Sequence, residues 1–527
     1  MRSVMSHNFS QVPQAQIPRS QFNRSHGFKT TMDAGYLVPC FVDEALPGDT
    51  FNVRATFFGR LATPLVPFMD NLRLNYFFFA VPNRLVWNNW QRFNGEQIDP
   101  GDSTDFEIPQ MTSGVGGYAI GSLSDYFGIP TGIAGLSHSS LWHRAYNLIW
   151  NEWFRSQDLQ DSVVVDKDDG PDNPADYVLL RRGKRHDYFT SCLPWPQKGP
   201  SVEIPLGTKA PITGIGKENN SYASSSVSVY ESGGNVATYT KFRNIDHTST
   251  SNNFFIKEDP DHAGYPGIYA DLSSATAATI NALRQSFQIQ RLYERDARGG
   301  TRYTEIIRAH FFVVSPDARL QRPEYLGGGS VPINVYPVAQ TSNTPTSGTP
   351  QGNLAGYGLV SDHGGGFIKS FTEHCLIIGL VSVQADLNYQ QGLNRMWSRL
   401  TRFDFYWPAL SHIGEQSVLN KEIYAQGTSA DDDVFGYQER FAEYRYKPSV
   451  ITGLFRSQAA SSIDQWHLAQ EFSSLPALNS TFIQDDPPLD RVIAVPSQPH
   501  LLLDVYFDMK TARPMPTYSV PGLIDHF

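Results

Sequence analysis

The sequence has little cysteine, no excess of positive charge and no long apolar run. Its three cysteines, Cys40, Cys192 and Cys375, are scattered over 527 residues. That spacing gives neither a disulfide framework nor paired metal ligands, so reduced thiols are expected. No segment approaches the ~18 consecutive apolar residues that cross a bilayer, and the polar, Gln- and Asn-rich start has no signal-peptide core. A soluble chain that stays in the cytoplasm where it is made, without membrane insertion, is the expectation. Lys and Arg total 42 against 52 Asp and Glu, a formal net charge of −10, so any contact with nucleic acid has to come from local patches.

Catalytic signatures are also missing. There is no phosphate loop of the form G-x-x-x-x-G-K-S/T, no H-E-x-x-H zinc helix and no G-x-S-x-G elbow. The acidic pairs and triplets that could converge on a sugar or a Ca²⁺ ion are Asp431-Asp432-Asp433 and Asp485-Asp486. Adjacent residues of an extended chain point apart, and their Ser, Ala and Pro flanks read as solvated turns. His26, His186, His310 and His374 lack ligand spacing, and no cofactor is expected. Gly327-Gly328-Gly329 and Gly364-Gly365-Gly366 lack the strand-to-helix setting of a nucleotide cradle and read as mobile segments or tight turns.

What is present points to strands. Apolar residues make up 40%, aromatics 13%, with 35 prolines and 42 glycines, the composition of a globular protein rich in strands and turns. The central stretch is residues 49–89. Phe51, Val53, Ala55 and Phe57 alternate with Asn52, Arg54 and Thr56, the two-residue period of a half-buried strand. Leu72, Leu74 and Tyr76 restart it, and Phe77 to Val81 close it as an unbroken apolar run before Pro82. A buried strand is predicted at residues 374–387, and an alternating one at 501–507, with Leu502, Asp504 and Tyr506 opposite Leu501, Leu503, Val505 and Phe507. A helix is predicted near 139–157, capped by Ser139, with Trp142, Trp150 and Trp153 in its apolar stripe. A second is predicted over 274–298, with Ile280, Leu283, Phe287 and Leu292 on one face and Gly299-Gly300 at its end. Residues 302–314 have the apolar density of a helix or a strand. Residues 204–270, rich in Ser, Thr, Asn and Gly, read as a surface insertion, and 327–366 as another long loop. Unequal excursions between strands, without an internal repeat, suggest a β-sandwich of jelly-roll type.

Two basic regions stand out. The first 32 residues carry Arg2, Arg19, Arg24 and Lys29 with no acid, a pattern that suits an extended arm touching DNA phosphates or a neighbouring subunit and equally a solvated tail. Arg181, Arg182, Lys184 and Arg185 form the densest cluster, beside Tyr188, Phe189 and Trp195. Aromatic residues next to Arg and Lys suit stacked single-stranded bases, and the same cluster suits salt bridges to acids of an adjacent subunit.

Several long blocks carry a family resemblance: PGDTFN, RLATPL, PFMDNLRLNYFFFAVPNRLVWNNW and GEQ near the start, RRGKRHDYFTSCLPWPQKGP at 181–200, and the terminal RPMPTYSVPGLIDHF. They closely resemble the major capsid proteins of the gokushoviruses, single-stranded-DNA bacteriophages of the Microviridae. The resemblance covers nearly the whole chain and is weakest over 204–270. It implies a mainly β viral jelly roll with long insertion loops and a few helices. Its parts would be an extended N-terminal arm (1–48), strands with loops and a helix (49–203), an outward insertion (204–270), and a second helix, the remaining strands and a tail (271–527). It implies a structural role: a T=1 icosahedral shell around circular single-stranded DNA. Its partners would be further copies of itself, an internal scaffolding protein, a DNA-pilot protein, a small basic DNA-binding protein and a host surface receptor that could be a glycan. Trp87, Trp90, Trp142, Trp150 and Trp153 are the interface anchors expected on that reading. The rival class is a carbohydrate-binding or glycoside-hydrolase β-sandwich, suggested by the Tyr, Trp and acidic loops.

Overall fold

The alternation at 51–57 becomes one strand of a nine-stranded antiparallel sheet that curls until its ends meet. The computed structural model describes residues 18–202, 280–342 and 350–518, with six two-residue strands between residues 212 and 270. The sheet contains β1 (Ser20–Asn23), β2 (His26–Met32), β3 (Val38–Ala45), β4 (Thr50–Leu61) and β5 (Leu72–Pro82). It continues with β6 (Glu324–Ala339), β7 (Leu354–Ser370), β8 (Cys375–Ala385) and β9 (Leu501–Arg513). Their order is β1-β9-β4-β7-β6-β5-β8-β3, with β2 also paired to β9. The two halves, β2-β9-β4-β7 and β6-β5-β8-β3, are the facing sheets of a jelly roll, joined through the β6–β7 hairpin. Rings from distant places in that order meet across the core: Phe57 stacks on Tyr76 at 4.4 Å, and Phe41 of β3 lies 5.0 Å from Phe507 of β9.

Sequence period separates the two halves. β4 and β9 bury every second residue, because one face meets the core and the other meets solvent. β8 is buried at all eleven positions and β5 at nine, because a further layer covers their outer face. That layer is the excursion after β5, centred on helix α1 (Leu141–Ile149) and a following turn at Trp150–Phe154. Leu376, Ile378 and Leu380 of β8 join Phe79, Val81, Tyr146 and Ile149 in this second core. Inside it, Arg144 is fully buried and holds Asp172 at 2.7 Å, with Val86 and Asp168 carbonyls accepting at 3.0 and 2.9 Å.

Two expectations change and one left open is decided. Residues 20–45, read as an arm, supply three strands, and residues 1–17 lie outside the described residues. The glycine-rich stretch 327–366, read as a loop, is mostly β6 and β7. A Cβ on Gly329 or Gly365 would overlap the Tyr76 hydroxyl, which donates to Asp362 at 2.7 Å. The triplets therefore make space for a core tyrosine where two strands cross it, a requirement that composition alone does not separate from loop flexibility. Residues 302–314 resolve into helix α2 (Tyr303–Phe311) followed by an exposed end.

A second compact unit comprises Gln197–Arg298. Most of the expected insertion at 204–270 lies outside the described residues. The predicted second helix is present as Ile280–Gly299, ending where Gly300 takes φ 99°, but Phe287 and Leu292 of its expected apolar face are exposed.

Gly365→Ala should destabilise the unassembled subunit by about 1–3 kcal/mol, read by urea unfolding, because the added methyl displaces a pinned ring. Adding Tyr76→Leu should recover part of that loss. An effect near zero would show that the ring has room to move.

His143 provides the pH prediction. Its ring is buried against Phe127 and His138, and burial pushes its pKa down to about 3. The folded state then resists protonation that the unfolded chain accepts near its ordinary ~6.5. The contribution is intact above pH 6.5 and is lost as pH falls from there toward 3. Denaturant midpoints of wild type and His143→Gln should converge across that window, and parallel curves would exclude His143 as the group responsible.

Candidate subunit-interface surface

The structure separates the basic residues picked out in the sequence. Arg2 lies outside the described residues. Arg19 donates to Thr50 Oγ1 at 2.7 Å and is exposed. Arg24 grips Asp43 with two bonds of 2.7 and 2.9 Å. Lys29, exposed on the outer side of β2, pairs with Asp504 of β9 at 2.8 Å. In the dense cluster, Arg181 lies over the Tyr36 ring at 4.2 Å and holds Asp486 at 2.9 Å. Arg182 sits over Phe77 at 4.9 Å, and burial pushes its pKa down to about 10. Lys184 is buried over Phe482 at 4.4 Å, its pKa also lowered by burial. Arg185 is exposed and paired with Asp386 at 2.8 Å. Three of the four thus tie their segment to residues 482–486 and to the β5 face within the subunit.

The acidic candidates are engaged too. Asp431 accepts backbone N–H groups of Gln426 and Gly427 at 2.9 and 2.7 Å, and Asp432 pairs with Lys421 at 2.7 Å. Asp485 is buried, its carboxyl pushed up to about 7 by desolvation. Among the described residues no three His, Cys, Asp or Glu side chains gather as metal ligands.

The tryptophans form the second core. Trp87 is fully buried with its Nε1 donating to Asp169 at 2.7 Å, and Trp150 is buried with Nε1 donating to the Arg181 carbonyl at 2.9 Å. Trp90 meets His374 edge-on at 5.3 Å, Trp142 packs partly buried on the same cluster, and Trp153 lies under Arg322 at 4.3 Å.

The exposed aromatics are elsewhere, in a segment that sequence reading passed over: residues 393–413, LNRMWSRLTRFDFYWPALSHI. Trp397 is 72% exposed, Leu400 94%, Phe403 55%, Trp407 47% and Ile413 62%. The segment is nevertheless built firmly. Arg395 donates to the Ser417 carbonyl at 2.7 Å and to Glu422 at 2.9 Å. Asp404 accepts from Leu400 and Thr401 N–H at 3.0 and 2.7 Å, contacts that hold its carboxyl below the usual range. Trp407 Nε1 donates to the Arg402 carbonyl at 2.9 Å, and Arg440 donates to the Phe403 carbonyl at 3.2 Å. Beneath lies a cavity of about 380 Å³ lined in part by Tyr188, Arg395, Trp397, Glu422 and Tyr446. Local short-range hydrogen bonds fix the backbone while the apolar tips stay uncovered. Arg and aromatic density without any period was the available signal.

A family model described as capsid protein (F protein) matches residues 10–523. The chain belongs to this capsid protein family. It is 50% identical over 529 residues to capsid protein VP1 of Bdellovibrio phage phiMH2K, covering 99% of this chain and 98% of the relative. It is 45% identical over 593 residues to capsid protein VP1 of Chlamydia phage 1, with 99% and 98% covered. With capsid protein VP1 of Spiroplasma virus 4 it shares 36% over 541 residues, 98% and 97% covered. The gokushovirus resemblance is therefore correct, and the sugar-hydrolase reading gives way to a structural, non-enzymatic one. As a capsid subunit, the chain is a component of a virion and associates with its own copies. An exposed surface rich in Trp, Arg, Met and Tyr has the composition of the buried centre of such contacts.

Core and surface tryptophans should therefore behave oppositely. Trp150→Ala should cost the unassembled subunit about 3–5 kcal/mol, whereas Trp397→Ala should shift unfolding by less than about 0.5 kcal/mol while lowering association. Urea unfolding and sedimentation of both variants test this, and a large stability loss in Trp397→Ala would place that ring in the subunit's own core.

Proposed function

We propose that this chain assembles as a T=1 icosahedral shell around a circular single-stranded DNA genome in the bacterial cytoplasm. The carrying observation is the uncovered aromatic surface at 393–413 on a jelly roll of capsid lineage. An apolar face of that kind is tolerated on a soluble subunit chiefly when a partner covers it. Copies of an acidic subunit that enclose a polyanion need cations or a small basic protein to neutralise the charge. The same reading includes an internal scaffolding protein, a DNA-pilot protein, and host attachment through the 204–270 insertion, where a surface glycan is a suitable receptor. Electron microscopy of the expressed protein with its scaffolding partner should show closed shells of uniform small diameter. Dispersed monomers would count against the proposal.

Of the cations singled out in the sequence, Arg19, Lys29 and Arg185 are exposed and on this reading available to meet DNA, as is Arg2, which lies outside the described residues, rather than Arg182 or Lys184. Arg24 is largely committed to Asp43. Arg19→Gln with Lys29→Gln should lower the DNA retained per particle at low salt and flatten its salt dependence, since each phosphate contact adds to that slope. Subunit unfolding should barely change, because exposed ion pairs contribute about 0–1 kcal/mol. Unchanged DNA content would remove these two residues from the interior surface.

A further inference from the structure

We propose that the arginine–aromatic surface at 393–413 docks head-to-tail on the acidic loop at 96–107 of a second copy. The inference rests on the shell reading and names two of the faces that would meet. Between residues 393 and 413 there are three arginines and a single acid, Asp404, whose carboxylate is already held by two backbone N–H groups; Arg395 is paired with Glu422 and Arg399 with Glu443 outside the segment, which leaves Arg402 as its unneutralised charge. Arg402 spans Phe403 and Trp407 at 5.2 and 5.7 Å and makes no ion pair among the described residues. It presents a weakly hydrated, stacked cation in the middle of apolar area, the kind of group that gains most from a carboxylate arriving with a partner.

The complementary face is in the excursion after β5. Residues 96–107 carry Glu96, Asp99, Asp102, Asp105 and Glu107, and no Lys or Arg occurs from residue 93 to 143. None of the five acids makes an ion pair among the described residues. The loop is shaped by Asp102, which accepts Ile98 and Asp99 N–H at 3.1 and 3.2 Å, and it presents Ile98 at 74% exposure. Each face thus pairs unneutralised charge with uncovered apolar area, with opposite sign, and the two are not joined within one subunit. Two different patches that complement each other make a heterologous contact, the kind that repeats around a rotation axis and closes a ring. Single-stranded DNA would also stack on Trp397 and Trp407. It would leave Leu400 and Ile413, among the most exposed residues of the segment, without a suitable partner and the acidic loop unanswered, so a second copy is favoured.

The test is a charge swap in the full chain, read as the fraction of subunit in closed shells, with thermal unfolding of the unassembled subunit as the control for folding. Arg402→Glu should lower shell yield about tenfold or more, as like charges meet across the contact. Asp99→Arg with Asp105→Arg should do the same. Combining the three substitutions should restore yield toward wild type. Wild-type yield in Arg402→Glu, or a triple variant no better than its parents, overturns the docking. So does a normal shell yield with reduced DNA content, which would assign the surface to the genome. If wild type forms small oligomers but no shells, and Arg402→Glu dissolves them, the docking stands and the shell reading falls. Wild type that stays monomeric at all concentrations overturns both.

Discussion

Closure of the nine-stranded sheet onto itself is the constraint from which the rest of the subunit follows. Phe41 of β3 and Phe507 of β9 sit near opposite ends of the strand order, yet their rings lie 5.0 Å apart, with Phe78 6.1 and 6.4 Å away. Those contacts require residues distant in sequence to arrive together: a strand from the first fifty residues, one from the eighth decade and one from the last thirty. Buried aromatic area of this size stabilises by several kcal/mol per ring, and none of it is gained until both halves face each other. The long excursions between strands are tolerable because loop-closure entropy grows only slowly with length. Closure also decides where polar charge can sit, since one sheet keeps an outer face in water while the other is roofed by the α1 layer.

What could be read from the sequence was what period and local run length encode. The alternation in β4 and the unbroken apolar runs in β5 and β8 told half-buried from fully buried strands correctly, because that distinction depends only on whether one or two faces are covered. The α1 stripe was readable for the same reason. The glycine triplets were not: Gly329 and Gly365 are required by Tyr76, a residue some 250 to 290 positions away, and a long-range steric demand leaves no local mark different from a flexible loop. The tryptophans were read as interface anchors, yet Trp87 and Trp150 are buried in the subunit's second core with Trp90, Trp142 and Trp153 packed against it, because composition cannot say which apolar surface closes within a subunit and which waits for a partner. Nor could it tell that Lys184 would end over the Phe482 ring while Arg185 stayed in water.

The basic cluster shows how charge of one sign can be used inside a fold. Arg181, Arg182 and Lys184 spread over Tyr36, Phe77 and Phe482, so their long stems cover apolar surface while Asp485 and Asp486 lie alongside. Burial lowers the pKa of Arg182 and Lys184 and raises that of Asp485, each in the direction opposed by the charges of the others. Arg181 alone of the cluster reaches an acid of the 482–486 stretch within ion-pair distance, Asp486 at 2.9 Å.

A subunit with uncovered aromatic area must avoid association before its partners are correctly placed, and the net charge of −10 bears on this. Long-range repulsion between like-charged subunits acts over roughly the Debye length, about 10 Å at 0.1 M salt, and keeps random encounters from reaching apolar contact. In the proposed docking, short-range pairing of an arginine-bearing face with an acid-bearing face would reverse that repulsion only in one relative orientation. Apolar burial would then supply the holding energy while charge selects the geometry. The aromatic segment is hydrogen-bonded into a fixed shape before any partner arrives, so little conformational entropy is lost on docking. A firm backbone carrying bare apolar tips, on a subunit of net negative charge, would thus let the proposed contact stay open when dilute and close when arranged.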